Sequence, residues 1–187
     1  MKPVRLLLFL MATILQIGCT EKRIVRPGPE ITFDRGRLLY QGDEFTGVVI
    51  ENYENVGTTR ETHYRKGLPD GVQVEHVIGG KMILAKRTFK NGENEGVHEG
   101  WFADGKRRFH YEYQDGKANG EFWEWHRSGH PSLFARFEKD NLIGKKRWRE
   151  DGKIYMNYVF PKGQAVGLPG TKLCFQVRAG QAVAGIK

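Results

Sequence analysis

Several things are scarce in this chain. The apolar run from Leu6 to Leu15 is too short to cross a bilayer comfortably, since a spanning helix needs roughly 20 apolar residues. There is no G-x-S-x-G turn to raise a nucleophilic serine. The histidines His63, His76, His98, His110, His126 and His130 lack the short-spaced grouping of metal ligands. His126 and His130 stand four apart but straddle a turn, so no metal and no cofactor is expected. The carboxylate pairs Glu93/Glu95 and Glu121/Glu124 fit a solvated face, because paired acid catalysis needs opposed carboxylates across a cleft. "GLPGTK" near the C-terminus lacks the lysine-serine/threonine ending and the following helix of a phosphate loop. Cysteine is limited to Cys19 and Cys174. If Cys19 is modified, Cys174 has no intramolecular partner and is a buried hydrophobe, an intermolecular disulfide or a nucleophile. No catalytic residue and no small-molecule substrate is therefore expected.

Glycine and aromatics, by contrast, are plentiful: 24 glycines and 12% aromatic residues in 187. So much glycine opposes a large helical core, and so many rings oppose disorder. Many strands joined by many turns fit both. The formal charge is +8. That excess either solubilises the surface or draws it to acidic partners.

The first residues form an address. "MKPVRLLLFLMATILQIGC" has a basic start, an apolar run and then small residues, the layout of a secretory signal. "QIGC" resembles a bacterial lipobox, although Gln16 stands where the pattern prefers leucine. The resemblance implies residues 1–18 as a lipoprotein signal, Cys19 as the lipidated residue, and an exported, envelope-anchored protein. Thr20 stands where an inner-membrane retention signal would place aspartate, which favours the outer membrane. Residues 19–40 read as the lipidated cysteine and a polar tether, with "EITF" as the alternative start of the folded body.

From Gly42 to Gly167 the chain repeats. One glycine series is Gly47, Gly71, Gly96, Gly120, Gly144 and Gly167, with steps of 24, 25, 24, 24 and 23. A second precedes it by four or five residues at Gly42, Gly67, Gly92, Gly116 and Gly163, with Asp140 taking one place. A third lies mid-module at Gly57, Gly80, Gly105, Gly129 and Gly152. Three interlocked series at one period mark a repeat architecture. Asp-Gly and Asn-Gly pairs supply the positive φ angles of tight hairpins. Phe109, Tyr111 and Tyr113 alternate with polar residues, as do Leu133, Ala135 and Phe137, and Met156, Tyr158 and Phe160, the period of a half-buried strand. The module from Gly80 is shifted, with Ile83, Ala85 and Phe89 as its inward set. These patterns place about five hairpin modules at residues 41–167 and a capping strand, "LCFQV", with its tail at 168–187.

Candidate interaction residues follow from the modules. Trp101, Trp123, Trp125 and Trp148 occupy late positions in the aromatic strands, and Trp123 and Trp125 share a face. Such rings pack one module on the next or meet a ligand. Lys145, Lys146, Arg147 and Arg149 surround Trp148 in "GKKRWRE", a basic edge strand that either discourages aggregation or contacts an anionic lipid or envelope polymer. The export signal argues against nucleic acid.

The pattern is similar to the MORN-repeat variant family, many bacterial members of which are lipoproteins and carry an antitoxin-like (YwqK) label. The motif residues are Asn91-Gly92 with Gly96, Asp104-Gly105-Lys106, Asp115-Gly116-Lys117 with Gly120, Ser128-Gly129 and Asp151-Gly152-Lys153. The resemblance implies consecutive β-hairpins in one open, elongated, twisted antiparallel sheet and a binding or scaffold role without an active site. The expected partner is another envelope protein. Lipid or polymer contact, an antitoxin-like role and a thiol-dependent enzyme on Cys174 are the alternatives.

Overall fold

Tight turns set the frame. Gln41-Gly42, Lys66-Gly67, Asn91-Gly92, Asp115-Gly116 and Lys139-Asp140 all hold positive φ at both central residues. That geometry matches the right-handed twist of paired strands, and other two-residue turns would splay them. Asp140 manages it without glycine, at φ 69°, because a short polar side chain tolerates the left-handed region.

The computed structural model describes residues 21–161, 164 and 166–169. Its strands are β1 (Arg23–Arg26), β2 (Ile31–Asp34), β3 (Arg37–Tyr40), β4 (Asp43–Glu44), β5 (Gly47–Tyr53), β6 (Thr58–Arg65), β7 (Leu68–Val77) and β8 (Ile83–Lys90). They continue with β9 (Glu93–Asn94), β10 (Gly96–Trp101), β11 (Arg107–Gln114), β12 (Lys117–Trp125), β13 (Pro131–Glu138), β14 (Asn141–Trp148), β15 (Ile154–Val159) and β16 (Val166–Pro169). Thirteen strands form one open sheet in the order β1-β5-β6-β7-β8-β10-β11-β12-β13-β14-β15-β16, with β9 paired to β8. The chain is all-β, mostly antiparallel and built of consecutive hairpins, as the glycine period requires. Among the described residues no helix is long and apolar enough to cross a membrane.

Gly71, Gly120 and Gly144, each four residues after a turn, stand beside a slip of register. The ladders shift between Thr62 and Tyr64, Tyr111 and Tyr113, and Arg136 and Phe137. An extra residue at such a bulge sharpens the local twist. Gly120 sits there with φ 125°, and a Cβ on it would run into the Glu112 carboxylate. Two glycines depart from expectation. At the turn after β7 the positive φ falls on Gly79 and not Gly80, and Gly144 is absent from the positive-φ set.

A ladder of acceptors ties one module to the next. Thr46, Asp70, Glu95 and Asn119 each precede a bulge-side glycine. Their side-chain oxygens accept the backbone N–H of Lys66, Asn91, Asp115 and Lys139, at 3.0, 3.2, 3.0 and 3.2 Å. The turn glycines add backbone links: Gly92 N–H to the Pro69 carbonyl at 2.7 Å and Gly116 N–H to the Asn94 carbonyl at 3.1 Å. Each hairpin is thus bonded at its tip as well as along its strands. The ladder ends at Ile143, whose side chain cannot accept.

The N-terminal segment overturns the tether reading, because residues 23–40 carry β1, β2 and β3. β1 pairs in parallel with β5, from Arg23↔Val48 to Arg26↔Glu51, and β2-β3-β4 form a second small sheet. This sheet lies over one end of the main one, where Leu38, Phe45, Ile24 and Val49 make the buried cluster with Ile31, Tyr40 and Tyr64 around it. Full burial of such a side chain contributes about 1.5–3 kcal/mol. The first hairpin cannot lean on a preceding module, and this cover supplies the missing layer. The signal segment, Cys19, Cys174 and "LCFQV" lie outside the described residues.

Candidate functional site

Residues directly opposite on neighbouring strands share a face, and so do residues two apart on one strand. On that rule the pairings sort the main sheet into two faces. The first face carries Val49, Arg60, Glu75, Ala85, His98, Phe109, Tyr111, Phe122, Ala135 and Lys145. The second carries His63, Lys86, Glu99, His110, Trp123, Phe134 and Lys146. The small sheet covers only the N-terminal end of the first face.

Beyond that cover the first face is a field of rings. Phe89 meets His98 at 5.6 Å, His98 meets Tyr113 at 4.6 Å, and Phe122 meets Tyr113, Tyr111 and Phe137 at 5.2, 4.7 and 4.7 Å. Phe109 stacks on Tyr111 at 4.9 Å. Its ring fills the space where a side chain at Gly100 would stand, so a glycine outside the three series is required there too. Ala85 is fully buried and Phe89 belongs to this face, whereas Ile83 is exposed, which corrects the inward set expected for that module. His98 is buried. It donates from Nε2 to the Thr88 carbonyl at 2.8 Å. Burial holds its pKa below the ordinary value, partly offset by that hydrogen bond, so it adds no charge near neutral pH.

A groove of about 510 Å³ runs across these rings, lined by Arg87, His98, Arg108, Tyr111, Tyr113 and Glu124 among others. Tyr111 donates its hydroxyl to Glu124 at 2.7 Å, and burial together with that carboxylate raises its pKa. Phe109 lies between two guanidinium groups, Arg87 at 5.5 Å and Arg108 at 5.2 Å from its centroid. Arg87 is held by Glu75 at 3.5 Å and the Gln73 amide at 3.2 Å. Arg108 makes no ion pair among the described residues.

The second face gathers most of the tryptophans. Trp123 stacks between Trp125 and Trp148, at 6.1 and 6.3 Å with planes inclined by 18° and 19°, and leans on Phe134 at 4.5 Å. Its Nε1 donates to Glu121 at 3.0 Å. Arg107 lies 5.9 Å from the Trp125 ring and Lys146 5.6 Å from Trp148, so both outer rings of the stack already hold a cation. These half-buried rings join β12, β13 and β14 across modules. Trp101 stands apart, on β10 opposite Arg107.

The basic patch is divided. β14 is bonded to β13 and β15 on its two sides, so "GKKRWRE" is an interior strand and not the basic edge expected. Lys146 and Trp148 share the second face with the stack. Lys145 and Arg147 project to the first, opposite Ala135 and Leu133. Arg149 sits in the following turn, its N–H donating to the Lys153 carbonyl at 2.9 Å.

Among the described residues no His, Cys, Asp or Glu group could hold a metal ion. His126 and His130 do not converge. Their rings bond the Trp148 and Glu150 carbonyls of the next hairpin, each at 3.0 Å. Arg87 and Arg108 belong to no motif. Strand parity marks Arg87, two residues from the inward Ala85, whereas nothing in the alternation marks Arg108.

No protein-family model matches the chain, and no curated protein matches it.

Proposed function

We propose that this chain is a non-catalytic repeat protein of the bacterial envelope, anchored through Cys19, that serves as a docking surface for another envelope protein. The leader "MKPVRLLLFLMATILQIGC" supports export and lipidation, and the hairpin modules support kinship with the MORN-repeat variants. One observation carries the docking reading. The small sheet covers the first face at one end only, and past it a continuous field of half-buried rings and a groove are left uncovered among the described residues. Aromatic side chains beside guanidinium groups are what interface centres are made of.

In-cell photocross-linking tests this. A photoreactive residue at Ser132, which lines the groove, should yield one dominant envelope-protein adduct identified by mass spectrometry. Adducts to lipid or glycan alone would refute docking of a protein. Release of glycerol-linked acyl chains from Cys19 tests the anchor separately.

A further inference from the structure

Strand alternation separates the charges in a way the linear sequence conceals. On the first face stand the cations Arg26, Arg60, Arg87, Arg108, Lys145 and Arg147, and the carboxylates Glu51, Glu75 and Glu124. All three carboxylates are engaged. Glu51 binds Arg26 at 3.0 Å and Tyr53 at 3.2 Å. Glu75 is shared by Arg60 at 3.6 Å and Arg87 at 3.5 Å. Glu124 takes the Tyr111 hydroxyl. Arg108, Lys145 and Arg147 form no ion pair among the described residues. On the second face, Glu61, Glu99, Glu112 and Glu121 nearly offset Arg23, Lys86, Arg107, Arg136 and Lys146.

We infer that the first face, from β8 to β14, docks an acidic extended segment of a protein, with Arg108 gripping a carboxylate in the groove and Lys145 and Arg147 meeting further acids beyond it. The inference rests on the docking reading above and names the partner's chemistry. The excess of positive charge calls for a negative partner. Rings interleaved with the cations call for apolar side chains between the acids. Glu124 inside the groove disfavours a phosphate-dense polymer or headgroup layer, which would meet its charge at close range. Arg108 lies against the Phe109 ring, which helps hold its fork in place for a carboxylate.

The test uses the full-length chain and a fluorescein-labelled decapeptide of repeating Glu-Glu-Leu-Leu, in which each side of the extended chain alternates acid and leucine, read by fluorescence anisotropy at low salt. Arg108→Gln is expected to weaken binding by about fivefold or more, because it removes an interfacial charge partner. The Lys145→Gln/Arg147→Gln double variant should weaken it as well. Arg136→Gln removes the same charge from the opposite face, where the side chain is exposed, and should leave binding within about twofold, since water screens a charge that makes no direct contact. Binding should fall with salt and vanish when the peptide's glutamates are replaced by lysines. Equal losses from Arg108→Gln and Arg136→Gln would overturn the inference by making the attraction diffuse. So would tighter capture by phosphatidylglycerol vesicles or inorganic polyphosphate than by the peptide. A protein adduct obtained from position 123 but not from position 132 would remove the acidic-face inference while leaving protein docking intact.

Discussion

Replacing Gly120 with alanine should cost far more than a surface substitution in a turn. Two terms add. At φ 125° an alanine occupies backbone space that costs about 1–3 kcal/mol for a residue with a Cβ. Its methyl group also meets the Glu112 carboxylate, which accepts the Glu121 N–H at 2.9 Å. Displacing that acceptor costs a further 1 kcal/mol or so, the low end for a charged hydrogen bond because Glu112 is partly exposed. About 3 kcal/mol in all is a large share of a stability that rarely exceeds 5–15 kcal/mol. Gly105→Ala is the control, since Gly105 has φ 81° but a methyl group there would meet nothing within 4 Å. It should cost about 1 kcal/mol, the left-handed penalty alone. Equilibrium urea unfolding followed by tryptophan fluorescence measures both. In a Glu112→Ala background the cost of Gly120→Ala should shrink by about 1 kcal/mol, a coupling that a double-mutant cycle isolates. If Gly120→Ala costs no more than Gly105→Ala, or if the two changes are additive, the collision is not what makes glycine necessary.

Three further expectations follow from the same geometry. His98 titrates below its ordinary value of 6.5, so the unfolded chain takes up the proton first as pH falls. Stability from neutral His98 is therefore complete above about pH 6.5 and lost as pH drops toward the lower folded value; His98→Gln should flatten urea midpoints measured across that range. Trp123→Ala removes the middle of the stack and should destabilise by about 2–3 kcal/mol, below the cost for a fully buried ring, and abolish any exciton couplet that Trp123 makes with Trp125 or Trp148 in circular dichroism. Asn119→Ala should speed amide exchange at Lys139 with a stability loss of about 0.5–1 kcal/mol, and an unchanged Lys139 amide would argue against the tip ladder.

The repeat was legible because turn chemistry is local. Asp115-Gly116 and Asn91-Gly92 announce their φ angles in two letters, and Phe109, Tyr111 and Tyr113 announce a face by alternation. Phe122 and Trp123 could be assigned to opposite faces for the same reason. The cover sheet was legible only in part: "EITF" stood open as a first strand and is β2, but "RLLY" is too short to show a period and the Gly67 turn it bonds lies far along the chain, and "RIVR", whose partner in the main sheet is Val48–Glu51, is hidden in the same way. The division of "GKKRWRE" between faces needed strand register, whereas its interior place was already implied by the alternating strand at Met156, Tyr158 and Phe160, which pairs beside it as β15. The acceptors Thr46, Asp70, Glu95 and Asn119 differ in type and share only a position before glycine, so they show as a series once their bonds are seen. Arg108 is hidden differently. The register shift between Gly100 and Trp101 brings it into the groove beside Phe109, where simple alternation would have sent it to the other side.

The most direct measurement is the yield of protein adduct from a photoreactive residue at Ser132 in living cells, compared between the unaltered chain, Arg108→Gln and Arg136→Gln. Docking of an acidic protein on the ring-lined face gives one dominant adduct that falls severalfold with Arg108→Gln and persists with Arg136→Gln. An absent protein adduct, with the chain folded and exported, would contradict it.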